Sequence, residues 1–383
     1  MTILRANTIS GLGTDGPVFD GSLEFNSQNY VILPKGTTGD RVGLGSTAGA
    51  LRYNTDSNKV ELWDGNQWVE VQSSRPDLNG GARGVSMGGG TNPNSNVIDY
   101  INISSTGNAQ DFGDLIGEGV YLSGSVASST RGICAGGSLP VSAPGSTNVI
   151  QYVTISSTGN SQDFGDVGAN SYGAAPFSNS TRGIFAFGTY GPANTNVMEY
   201  ITMASTGNSV DFGDASYNAA YKSACASSTR GVIFGGQTPT PASTFYNNIE
   251  FVTTSTLGNT QDFGDLSVGA RYRMGACSNS IRGITGSGEG PSGDGLSFIE
   301  FITIATRGNS QNFGNLVVGG QHAIPTASST RGVFMGLQNP SPYANNNTIQ
   351  YVTIMTQGNA IDFGDLTVTK LGAGSLSNAH GGL

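Results

Sequence analysis

Hydrophobic and polar residues fall into short runs separated by glycines, and from about residue 80 onward the runs recur in one order. Arg131–Gly137 reads Arg-Gly-Ile-Cys-Ala-Gly-Gly, an apolar run ended by glycines. Asn148–Ile155 reads Asn-Val-Ile-Gln-Tyr-Val-Thr-Ile, with β-branched and aromatic residues on both faces. That pattern suits a strand covered on both sides better than one with a wet face. The turn Ser157-Thr158-Gly159-Asn160 leads to a fourth piece, Ser-Gln-Asp-Phe-Gly-Asp at 161–166, and a loose run of small residues, Gly173–Ser178, precedes the next Arg-Gly. No 3.6-residue periodicity appears, and glycine is too frequent to sustain helices.

The four pieces form a repeat. Arg-Gly begins at Arg83, Arg131, Arg182, Arg230, Arg282 and Arg331, and Gly-Asn at Gly107, Gly159, Gly207, Gly258, Gly308 and Gly358. Both landmarks keep a period of roughly 50 residues, which indicates propeller blades or solenoid coils. An aromatic marks the third strand each time (Tyr100, Tyr152, Tyr200, Phe251, Phe301, Tyr351), and a phenylalanine the fourth (Phe112, Phe164, Phe212, Phe263, Phe313, Phe363). The arrangement resembles the kelch repeat, whose glycine doublet is complete here at Gly88-Gly89, Gly136-Gly137 and Gly235-Gly236, although the kelch Trp is absent. The resemblance implies an all-β, six-bladed kelch-like propeller over 75–383. The first repeat lacks its small-residue strand, and 371–381 has the form of the missing piece, so the C-terminus is expected to pair with 84–89 and leave no open edge.

The N-terminal part differs. A leader at 1–35 precedes a small β-meander at 36–74, where Asp64-Gly65 is a hairpin signal and both tryptophans, Trp63 and Trp68, lie. Leu33-Pro34-Lys35-Gly36-Thr37-Thr38-Gly39-Asp40-Arg41, followed by Leu51-Arg52-Tyr53-Asn54, is similar to a module of tailed-phage virion proteins. Thr8-Ile9-Ser10-Gly11 and Gly16-Pro17-Val18-Phe19-Asp20-Gly21 resemble leaders of virion proteins from phages infecting marine cyanobacteria. In those families such leaders join repeats ending Gly-Asn-x-x-Asp-Phe-Gly-Asp-Leu, as at 107–115 here. The resemblance implies a tail fibre or tail-associated adsorption protein, assembled in the host cytoplasm into a virion. Expected partners are other virion proteins, a host cell-surface glycan, and further copies in a homo-oligomer such as a trimer. A capsid decoration or neck protein, or a glycan-active propeller enzyme, is the alternative.

Charge and chemistry narrow the function classes. The net charge is -9 and no long basic run exists, which argues against duplex nucleic acid as a partner. No apolar run approaches the roughly 20 residues of a spanning helix, and Met1–Gly13 has no apolar core of a secretory signal. Cys134, Cys225 and Cys277 are sparse and odd in number, as in a chain made in a reducing compartment. Asp-Phe-Gly occurs five times, without the loop partners a kinase needs once. The two histidines, His322 and His380, have no cysteine cluster beside them, so neither metal nor cofactor is expected. We expect no enzyme.

Two expectations concern side chains. The repeated arginines are expected to tie neighbouring strands or blades, through the acid after Phe-Gly (Asp114, Asp166, Asp214, Asp265, Asp365) or through backbone carbonyls. The second-to-third loops vary in length and content, and in an up-and-down blade they share a face with the blade connections. The loops carry Tyr190, Phe245, Tyr246 and Tyr343; the connections carry Tyr121, Tyr172, Tyr217, Tyr221, Arg271, Tyr272 and Arg273. Aromatic faces stack on sugar rings, so this face is expected to meet the partner.

Overall fold

The computed structural model describes residues 32–41, 48–57, 59–70, 82–91, 93–140, 145–190, 193–238, 244–292, 296–340 and 343–383. The leader motifs at 8–21, and parts of every second-to-third loop, lie outside them. The chain divides into two compact units, Met1–Arg75 and Pro76–Leu383.

In the first unit Lys35–Gly36 runs parallel to Leu51–Asn54, which continues antiparallel into Lys59–Trp63 and Trp68–Glu70. The turn at 64–67 is set by Asp64, whose carboxylate accepts from the Asn66 and Gln67 amides at 2.7 Å. One face of the sheet is polar. Glu61 is fully buried, bonded to Arg41 and, at 2.8 Å, to Asn54. The Arg41 bond holds its carboxyl below the usual range. The row Leu51, Leu62, Val69 on the other face is exposed.

The second unit is all-β, built of six antiparallel sheets in which four strands of each repeat pair in sequence order. In the second repeat these are Gly124–Ala127, Arg131–Ala135, Thr147–Thr154 and Gln162–Tyr172. The first repeat draws Arg83–Met87, Val97–Asn102 and Gln110–Asp114 from its own segment and its first strand, Gly374–Ser377, from the C-terminus. Gly374 pairs with Met87 and Ser377 with Gly84, and Leu371 bridges Gly90. The second repeat's sheet gains a hairpin from the third repeat, Thr189–Tyr190 and Ala193–Asn194.

Both faces of each sheet are covered, which explains the apolar residues on both sides of the third strands. Six apolar clusters occur among the described residues, each drawn from two consecutive repeats. One joins the sixth repeat to the first, through Phe363 and Leu366 against Ile101 and Ile103. The first strands also touch in succession. Gly124–Ala127 lies beside Ala175–Ser178, then come Ser223–Ala226, Gly275–Ser278, Ile324–Ala327 and Gly374–Ser377, which returns to Gly124–Ala127.

Phe-Gly and Gly-Asn prove to be two halves of one clasp. The Gly159 amide donates to the Phe112 carbonyl at 2.7 Å, the Asn160 side chain accepts from the Asp114 amide at 3.0 Å, and the Ser161 amide donates to the Asp114 carbonyl at 2.9 Å. The same three bonds join every repeat to the next, and Gly107-Asn108 closes on Phe363 and Asp365. The glycine after phenylalanine is needed for this approach. A methyl group added at Gly165 would lie 2.5 Å from the Gly207 oxygen.

The repeated arginines act beside the clasp, by the second of the two expected routes. Each guanidinium lies 4.3 to 4.9 Å from the centre of its own repeat's third-strand aromatic ring. Each also donates to a carbonyl ending the next repeat's third strand, as Arg83 does to Ile155 at 2.8 Å and Arg331 to Ile103 at 2.9 Å. Among the described residues none pairs with the acid after Phe-Gly, which corrects that half of the expectation. The acid contributes its backbone to the clasp instead. Cys134, Cys225 and Cys277 are buried free thiols, and burial raises the pKa of all three.

Candidate functional site

The six first strands enclose a cavity whose walls are made by their small residues. Toward the C-terminal ends of these strands its volume is about 70 Å³, and the tail closes this end. His380 Nε2 lies 2.9 Å from the Ala127 carbonyl of the second repeat, while the Gly381 amide donates to the Ser278 carbonyl of the fifth at 2.9 Å. Burial holds the His380 ring below its usual pKa.

The other end is the mouth. Six equivalent residues, one before each first strand, surround it: Leu122, Gly173, Tyr221, Arg273, His322 and Gly372. Each donates its amide to the carbonyl of the one before: Gly173 to Leu122 at 2.8 Å, Tyr221 to Gly173 at 3.3 Å, Arg273 to Tyr221 at 3.0 Å, His322 to Arg273 at 2.8 Å. Gly372 to His322 at 2.9 Å and Leu122 to Gly372 at 2.8 Å complete a ring of backbone hydrogen bonds. All six have φ between 54° and 67°. Leu122, Tyr221, Arg273 and His322 hold this left-handed conformation although glycine would adopt it at no steric cost, a strain of the order of 1–2 kcal/mol each. Such outliers concentrate at functional positions.

Four tyrosines from the connections gather around this ring. Tyr121 Oη lies 3.0 Å from His322 Nε2, with the rings 5.5 Å apart. Tyr221 is 6.5 Å from Tyr172, 6.1 Å from Tyr272 and 6.0 Å from His322, and Phe245 lies 5.2 Å from Tyr272. Arg273 sits over Tyr221 at 5.2 Å and Tyr272 at 4.7 Å, fixed by Glu289 at 3.0 Å and Gln321 at 2.7 Å. Burial raises the Tyr121, Tyr221 and Tyr272 hydroxyls, the last to about 12, so all three stay neutral. Burial and the Arg273 charge keep His322 neutral. The half of the cavity behind this ring has a volume of about 120 Å³.

The remaining expected residues lie elsewhere. Tyr217 and Tyr246 stack on each other at 4.1 Å, with the Tyr217 hydroxyl donating to the Gly235 carbonyl at 3.0 Å. Tyr343 is exposed and apart, at φ 59°. Tyr190 is placed by its backbone, paired with Ser171, and its side chain lies outside the described residues. Arg271 is a correction. It is 1% exposed and bonded to Glu300 and to the Ser287 carbonyl, so no partner reaches it.

Three residues at this site were not singled out for recognition from the sequence: Leu122, Lys222 and His322. Their common signal is position, at or just after the residue preceding each small-residue strand, as in Tyr221-Lys222-Ser223-Ala224 and His322-Ala323-Ile324-Pro325. Among the described residues no group of three or more His, Cys, Asp or Glu is placed to hold a metal ion, and no helix is long and apolar enough to cross a membrane. No protein-family model matches the chain, and no curated protein matches it.

Proposed function

We propose that the second unit is a six-bladed β-propeller acting as a non-enzymatic binding module, and that its mouth face meets the partner. The propeller reading is supported by six sheets packed in succession, by clasps that return from the sixth repeat to the first, and by the C-terminal strand that completes the first sheet. The binding reading rests on one observation. Around the mouth residues Tyr221, Arg273 and His322 gather Tyr121, Tyr172 and Tyr272, and the mouth keeps large side chains in a left-handed backbone position that favours glycine. Rings with a polar tip, held in a rigid frame, suit the alternating apolar and hydroxyl surfaces of a sugar.

The setting we propose is the particle of a tailed phage, as a tail fibre or tail-associated protein that contacts a host-surface glycan. The support is the resemblance of the leader and of the Gly-Asn-x-x-Asp-Phe-Gly-Asp-Leu repeat ending. The test has two parts. Antibody labelling of particles in electron micrographs is expected to place the chain on the tail. Purified protein is expected to bind host polysaccharide, and a Tyr221→Ser variant with unchanged melting is expected to lose that binding. A folded variant that adsorbs like the parent overturns the mouth assignment, and release of sugars from the polysaccharide overturns the non-enzymatic reading.

A further inference from the structure

We propose that His380 is a latch sensitive to acid: its neutral ring holds residues 379–383 across the cavity end opposite the mouth, and its protonation releases them and opens that end. The proposal concerns the closed end alone and stands whether or not the mouth meets a glycan.

The geometry begins with a strand that has no turn to make. Elsewhere the first strand of a repeat leads directly into its second, as Ala175–Ser178 does into Arg182–Ala186. Gly374–Ser377 finds its second strand, Arg83–Met87, already supplied from the start of the unit. Asn378 ties the strand end to that sheet, its side chain accepting from the Arg83 amide at 2.8 Å. The chain then enters the cavity. His380 Nε2 meets the Ala127 carbonyl of the second repeat at 2.9 Å and the Ser178 hydroxyl of the third at 3.3 Å. Gly381 bonds Ser278 of the fifth repeat, and a methyl group added to it would lie 2.7 Å from the Ala226 carbonyl oxygen of the fourth. A segment that touches four repeats besides its own lies across the opening. Only glycine fits at 381 and 382, where an added methyl group runs into the Asn279 and Ser178 carbonyls.

Both ring nitrogens of His380 are committed. The Gly382 amide donates to Nδ1 at 3.1 Å, so that nitrogen carries no proton, and the ring hydrogen sits on Nε2, aimed at the Ala127 carbonyl. This arrangement suits the neutral ring alone. A second proton would set an N–H on Nδ1 against the N–H of Gly382, and no acid stands by to receive the charge. Around this half of the cavity the other titratable groups are Cys225 of the fourth repeat and Cys277 of the fifth, and burial keeps both thiols neutral. The first strands of the other four repeats present only apolar and hydroxyl side chains. Burial accordingly holds the ring below its usual pKa, against the favourable bond to Ala127.

A released ring titrates near 6.5, as in water, while the docked ring stays neutral. Each unit of pH below 6.5 therefore favours release by roughly 10-fold, until the docked ring itself takes up a proton. Release does not have to spread. The strand before the latch is held by its pairing with 84–87 and by Leu376, which is buried in the core, so the opening is local. At neutral pH this end of the cavity is shut; in acid the cavity becomes a passage through the second unit.

Hydrogen–deuterium exchange read by mass spectrometry on the full chain tests this. Peptides spanning 378–383 are compared with peptides spanning 84–89 at pH 7.5 and pH 5.0, after correction for intrinsic exchange rates. Protection of the tail is expected to fall at least 10-fold at pH 5.0 while 84–89 stays protected. The His380→Gln amide still donates to a carbonyl but takes up no proton. In that variant the tail's protection at the two pH values is expected to agree within 2-fold, whatever its absolute level. A tail equally protected at both pH values in the parent overturns the proposal. Loss of protection in 84–89 at the same pH does so too, because the whole unit is then unfolding in acid. Both outcomes are read without any variant. An undiminished pH response in His380→Gln also overturns it, by placing the sensor elsewhere.

Discussion

The clasp between consecutive repeats can be weighed with two glycines that share a backbone conformation and differ in surroundings. Gly165 has φ 149° and Gly207 has φ 150°. A methyl group at Gly207 meets nothing within 4 Å, whereas one at Gly165 lies 2.5 Å from the Gly207 oxygen and 2.6 Å from its carbonyl carbon. Both substitutions to alanine incur the same backbone strain, about 1–3 kcal/mol. Gly165→Ala must in addition push the next repeat's turn away. Three bonds are then stretched: Gly207 to Phe164 at 2.7 Å, the Asn208 side chain to the Asp166 amide at 3.0 Å, and Ser209 to Asp166 at 3.0 Å. At roughly 1 kcal/mol net for each, the extra cost is about 3 kcal/mol. Chemical denaturation of the two variants reads the difference directly, and thermal melts are expected to separate by roughly 6 °C at about 2 °C per kcal/mol. Equal destabilisation of the two would show that the close approach carries no energy, and the clasp would then be geometry alone.

Three further outcomes follow from the same structure. Arg131→Met removes a bond to the Ala204 carbonyl and the stack on Tyr152. It is expected to cost about 2 kcal/mol, with Arg131→Lys recovering less than half because a single ammonium cannot serve both contacts; full recovery by lysine would refute the dual role. Leu376 is 5% exposed in the closing strand, packed with the Val85 and Val153 cluster, so Leu376→Ala is expected to lower unfolding free energy by 2–5 kcal/mol. A loss under about 1 kcal/mol would mean that the C-terminal strand is not part of the cooperative unit. His322 and His380 both have pKa values held below 6.5 by burial. The unfolded chain therefore takes up protons that the folded one refuses, and stability is lost as pH falls through 6.5 toward the folded values; the double variant His322→Gln, His380→Gln should flatten that slope.

The residues that spoke plainly in the sequence are those whose role repeats. Tyr152 and its five counterparts, the six phenylalanines and the small-residue strands mark sheets because each position meets the same neighbours every time. Gly374–Ser377 was legible for the same reason, as a unit missing at one end and present at the other. What spacing does not reveal is which landmark meets which. Phe-Gly and Gly-Asn sit in one strand-turn of a repeat, yet each contacts its counterpart in the adjoining repeat, as Asp114 does with Asn160. The Phe-Gly acids looked like partners for arginine, but a carbonyl at a neighbouring strand end lies nearer to the guanidinium. Arg271 and Arg273 are two residues apart and read alike in sequence. The left-handed turn at Arg273 places that side chain at the mouth, whereas Arg271 turns into the interior against Glu300.

The ring at the mouth has a consequence for how such a chain can change. Its six hydrogen bonds use main-chain atoms alone and accept leucine, glycine, tyrosine, arginine and histidine in equivalent places. The bonds themselves are therefore indifferent to which side chain stands there, apart from the strain that a non-glycine residue carries. The frame behaves as a socket that can be re-keyed one pin at a time, so the side chains at the mouth are free to vary while every bond that holds the socket round is kept.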